Sequence, residues 1–90
     1  MANKRNLKSS INYICSELFA ECVAASLYNG NVKQEDVDGI LSSIILTHTD
    51  FIGRVSHPEP GMPQKKYYSS LIDDFNKQVS ELVDQISNIA

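Results

Sequence analysis

The run from Leu7 to Tyr28 constrains this chain more than any other stretch. At about 100° per residue, Leu7, Ile11, Ile14, Cys15, Leu18, Cys22 and Ala25 fall on one stripe of a helix. Such a stripe is the core-facing side of an amphipathic helix. A second apolar face lies behind it, made by Tyr13, Phe19, Ala20, Val23, Ala24 and Leu27. Acidic charge is confined to a narrow strip of Ser10, Glu17, Glu21 and Tyr28. A helix that is apolar nearly all round needs burial on more than one side. The rest of the chain is expected to cover one face and a partner the other. The competing expectation places this helix at the centre of the single chain, with both faces covered internally.

The chain has 90 residues, enough for one domain. A chain of this size buries about 60–65% of its unfolded surface, so its margin of stability is narrow. An apolar fraction of 42% supports a folded core. The net charge of −3 speaks against a dedicated nucleic-acid binder. No apolar run reaches the length of a membrane span, so no membrane partner is expected. The polar start from Met1 to Lys8, followed by Glu17 and Glu21, does not read as an export signal.

Cys15 and Cys22 share a helix face but lie about 10 Å apart along the axis, too far to bridge each other. They read as two small core residues. Two free thiols without an export signal suggest a reducing cytoplasm.

The remaining chain supplies two more helices. The three are expected at about 6–28, 34–55 and 64–88, with a proline-rich loop over 57–63. Asn3 or Asn6 is a candidate cap for the first. Asn29-Gly30 stops it, both residues tolerating the left-handed conformation of a helix C-cap. Val32 and Val37 have the spacing of a hydrophobic staple at the start of the second, with Glu35 and Asp36 favouring the positive end of its dipole. Its apolar stripe is Val37, Ile40, Leu41, Ile44, Ile45, Phe51, Ile52 and Val55, while Leu46 stands on its polar face. Pro58 ends it by about Ser56, and Pro63 suits the first turn of the third helix. In that helix Tyr68, Ile72, Phe75, Val79, Leu82, Ile86 and Ile89 form a heptad seam, widened by Leu71 and Val83. The fold class expected is all-α, an antiparallel three-helix bundle that dimerises into a larger helical bundle.

The opening NKRNLKSSINYICSELFAECVAASL, which spans Asn3 to Leu27, resembles a family of small, uncharacterised helical bacterial proteins. The resemblance implies a helical fold and a cytoplasmic bacterial setting. It carries no catalytic motif and assigns no functional residue.

Chemistry-bearing motifs are few. The chain has no phosphate-cradling GxxxxGK[ST], no GxGxxG and no CxxC. Glu17 and Glu21, one turn apart, are candidates for holding a cation or for acid/base work, but on this helix they better mark the solvent strip. His48 falls within the second helix's apolar stripe and is read as a core-edge histidine bonded to a neighbouring carbonyl rather than as a ligand. Tyr67 and Tyr68 beside Lys65 and Lys66 have the composition of a base-stacking patch, yet Tyr68 belongs to the seam and Asp73 and Asp74 would repel phosphate. No enzyme activity, cofactor or metal is expected. The function expected is association, as a homodimer or with another protein, through Tyr13, Phe19, Ala20, Val23, Ala24 and Leu27, with Leu46 at the rim. One alternative is a small-molecule or metal binder built around His48 and the cysteines. The other is a nucleic-acid accessory protein using Lys4, Arg5 and Lys8.

Overall fold

The computed structural model describes residues 4–89. It contains three helices: α1 (Lys4–Tyr28), α2 (Gln34–Ser56) and α3 (Gln64–Ile89). No strand occurs among the described residues. Asn3, one of the two candidate caps, lies outside them, and Asn6 sits within the first turn of α1.

Each helix contributes its main stripe to one shared core. Leu7, Ile11, Cys15, Leu18 and Cys22 come from α1, Val37, Ile40, Ile44, Phe51 and Val55 from α2, and Tyr68, Leu71, Phe75, Leu82 and Ile86 from α3. Ile14, Leu41, Ile52, Ile72, Val79 and Ile89 pack half-buried at its margin. Phe51 and Phe75 meet edge to face across α2 and α3, with ring centroids 5.1 Å apart. That geometry sets the positive ring edge against the negative face and contributes about 0.5–1.5 kcal/mol beyond burial. The molecule measures 49 × 19 × 16 Å.

Two local details differ from the reading of the sequence. The turn after α1 uses no left-handed residue, since positive φ is absent among the described residues. The Asn29 side chain makes the turn instead. Its Oδ1 accepts from the Asn31 backbone N–H at 3.1 Å, and its Nδ2 donates to the Ile89 carbonyl at 3.0 Å. Asparagine is suited to this by an amide that both accepts locally and donates at a distance. The second detail is Pro63, which stands one residue ahead of α3 and accepts the Tyr67 N–H through its carbonyl at 3.0 Å. It therefore acts as the cap residue rather than the first helical one.

The end of α2 is tied to the start of α3 by two phenols. The Tyr67 hydroxyl donates to the Arg54 carbonyl at 2.9 Å and the Tyr68 hydroxyl to the Val55 carbonyl at 3.3 Å. Both carbonyls belong to the last turn of α2, where no intrahelical N–H is left to reach them. Tyr67 and Tyr68 are thus held edge to face against each other, their hydroxyls engaged. This accounts for the pair without nucleobases.

Candidate functional site

The chain's own helices leave the second face of α1 uncovered. Tyr13 is 67% exposed, Phe19 39%, Val23 36% and Leu27 80%. Ala20 is exposed and Ala24 half-buried between them. The core stripe of α1 packs against α2 and α3, and a helix cylinder presents only one side to two neighbours. Glu17, Glu21 and Tyr28 are exposed along the flank of this face.

One residue of the surface does not come from α1. Ile45, expected in the core stripe of α2, is 55% exposed. It lines an open groove of about 310 Å³ at the α1–α2 seam, together with Cys15, Ser16, Phe19, Ile44 and His48. Ile44, Ile45 and Leu46 are consecutive, so they sweep about 200° round α2. Only part of that arc meets α1, and the α1 side chain lining the groove here includes the small Ser16. Ile44 is buried, Ile45 faces the groove, and Leu46 is carried round to the other side. There Leu46 lines a cleft between α2 and α3 with Asp50, Arg54 and Asp74. The signal available in the sequence was the uninterrupted Ile-Ile-Leu run, which no single neighbour can cover.

His48 is half-buried at the core edge. Its partner is the side-chain carbonyl of Asn12: Nε2 meets Asn12 Oδ1 across the α1–α2 seam. Cys15 and Cys22 are both buried and unbridged. Burial pushes both thiols above their ordinary titration range, the direction opposite to that of an activated nucleophile.

Other polar groups are engaged in local structure. Arg54 pairs with Asp50 at 3.1 Å and Asp74 at 3.6 Å, and its guanidinium lies 4.7 Å from the Phe51 ring centroid. Lys4 and Arg5 are exposed and Lys8 is half-buried on the first two turns of α1. Among the described residues, no three His, Cys, Asp or Glu side chains converge as a metal site would require. No helix among them is long and apolar enough to cross a membrane.

Comparison with family models, with curated proteins and with solved structures finds no match to this chain.

Proposed function

We propose that the chain is an antiparallel three-helix bundle that works as a protein-protein association module, and that its first partner is a second copy of itself. The observation that carries this is the exposed apolar surface formed by Tyr13, Phe19, Val23 and Leu27 of α1 with Ile45 of α2. The antiparallel arrangement is supported by the short links between helices and by two hydrogen bonds. Asn29 to Ile89 joins the C-terminal ends of α1 and α3, and Tyr68 to Val55 joins the end of α2 to the start of α3.

Size favours a second copy. An aromatic side chain offers about 150–250 Å² and an aliphatic one somewhat less, so these five residues present roughly 500 Å² of side-chain surface. A standard interface takes about 800 Å² from each partner, a little over half of it apolar. The patch therefore supplies about the apolar share of one side. It also lies toward the upper end of the largest apolar patch that a soluble monomer ordinarily exposes. Shape agrees with this: a globular monomer of this mass exposes about 5,200 Å², whereas this elongated molecule exposes 6146 Å². Ala20 and Ala24 lie within the face and allow the axis of another helix to approach closely. A two-fold axis through α1 would pair the surface with its own copy, the commonest oligomeric arrangement. A cytoplasmic bacterial setting goes with this reading.

Phe19→Glu tests it. A charge placed at the centre of the face should convert a dimer into a folded monomer, as seen by sedimentation velocity with unchanged far-ultraviolet circular dichroism. Loss of helix at every concentration would show instead that Phe19 belongs to the interior of a single chain. The groove beside it raises a second reading, a small apolar ligand seated on Cys15 and His48. Native mass spectrometry of freshly purified protein distinguishes this, since a retained adduct would favour the ligand.

A further inference from the structure

The groove at the α1–α2 seam is part of the proposed interface, and its chemistry bears on when that interface forms; the inference rests on the self-association proposed above. Phe19 and Ile45 line it and belong to the exposed patch, while His48 lines it half-buried. Asn12 Oδ1 accepts from His48 Nε2. An amide oxygen has no proton to give, so the neutral imidazole carries its proton on Nε2 and gains the second one on Nδ1.

No carboxylate lines the groove in which that second proton would sit. Among the lining residues Cys15 is the other titratable group, and burial pushes its thiol up, so it stays neutral through the acid and neutral range. On α2 the residues one turn either side of His48 are Ile44, Ile45, Phe51 and Ile52. On α1 the residues one turn either side of Asn12 are Lys8, a cation, Ser9, Cys15 and Ser16. Glu17 and Glu21 stand about 140° and 180° round α1 from Asn12, and Asp50 about 160° round α2 from His48. Asp50 is also paired with Arg54. No residue of α3 lines the groove.

We infer that neutral His48 is a condition of self-association. A second copy seated over Phe19 and Ile45 takes the groove out of water. An imidazolium enclosed there meets no carboxylate of its own chain among the groove's lining residues, and burying an unpaired charge is costly. Acid pH therefore separates the copies while each stays folded.

The test is sedimentation equilibrium at pH 7.5 and 5.5, at one ionic strength, on the wild-type chain, His48→Gln and His57→Gln. Excluding the charged imidazole from both copies should weaken association at the lower pH. Carboxylates titrate nearer pH 4 and contribute little in this window. Wild type and His57→Gln should show the loss. His48→Gln keeps a donor for Asn12 and should bind equally at both values. Circular dichroism should show unchanged helix throughout. A proton NMR titration of the wild-type imidazoles gives a check independent of any variant: the His48 midpoint should fall when the sample is concentrated. A dimer with the same Kd at both pH values, an acid-sensitive His48→Gln, helix loss at pH 5.5, or a midpoint independent of concentration would each overturn the inference and leave the dimer standing. A wild-type monomer at both pH values would overturn the dimer and the inference together.

Discussion

α3 and α1 are nearly equal in length, yet they meet solvent in opposite ways. On α3 the apolar residues form one seam, and the remainder of the surface is almost wholly polar, with Asp73, Asp74, Asn76, Lys77, Ser80, Glu81, Asp84 and Gln85 among it. Val83 is the one large apolar side chain of α3 left substantially exposed. On α1 the inner stripe is buried just as well, but the opposite side carries Tyr13, Phe19, Val23 and Leu27 in the open. α3 thus defines its own boundary with water, and α1 leaves one to be completed. In a chain of 90 residues with a narrow margin of stability, an uncovered apolar face gives no benefit to the monomer. The contrast between the two helices is the reason for placing the interface on α1.

The contrast predicts that truncation on the two helices has unequal effects. Phe75→Ala removes a ring enclosed by the core and should cost about 3–5 kcal/mol in a urea melt. Leu27→Ala removes an exposed side chain and should change the stability of the isolated monomer by less than about 0.5 kcal/mol, while weakening association. A large monomer destabilisation from Leu27→Ala would place that face against the chain's own core and break the comparison.

A smaller effect is expected from the phenol that anchors α3. Tyr68→Phe leaves the buried ring in place and removes the bond to the Val55 carbonyl. The loss should be about 0.5–1.5 kcal/mol, read as a shift in the thermal midpoint. No shift would mean that the C-terminal turn of α2 finds water without this hydroxyl.

The inner face of α1 makes the smallest prediction, and its sign follows from the thiols. Burial raises the titration of Cys15 and Cys22 in the folded chain above the ordinary value of 9.0. The unfolded chain therefore releases these protons first as pH rises. Their contribution is intact below 9.0 and is lost above it, up to the folded values. Urea melts between neutral pH and pH 10 should show stability falling above 9, with a shallower fall in the Cys15→Ala/Cys22→Ala variant. An equally steep fall in that variant would assign the effect to other groups.

Much of this architecture is legible in residue spacing, because spacing encodes which side of a helix faces inward. The core members of α1 and α3 are recognisable from their three- and four-residue steps. Spacing is silent on how wide an arc a neighbour covers, which is why Ile45 reads as core and yet faces a groove, and why Val83 widens a seam that does not reach it. The partners of polar side chains are equally hidden. Nothing local links Asn12 to His48, 36 residues apart, or Asn29 to Ile89, 60 residues apart. The tyrosines show the same limit: their composition suggests base stacking, and only the meeting of α2 and α3 shows two hydroxyls closing a helix end. The seven α1 and α2 residues expected at the interface divide along the same line. Those on α1 share a face because one helix carries them, whereas the relation of Leu46 to that face depends on how α2 is rotated.

The central claim is that the open face of α1 is completed by a second copy, and the most direct measurement is the mass of the wild-type chain in solution as a function of concentration. Sedimentation equilibrium or light scattering at neutral pH, from low to high micromolar, should show the 10.0 kDa chain rising to twice its mass. A mass that stays at 10.0 kDa to high micromolar concentration would contradict it.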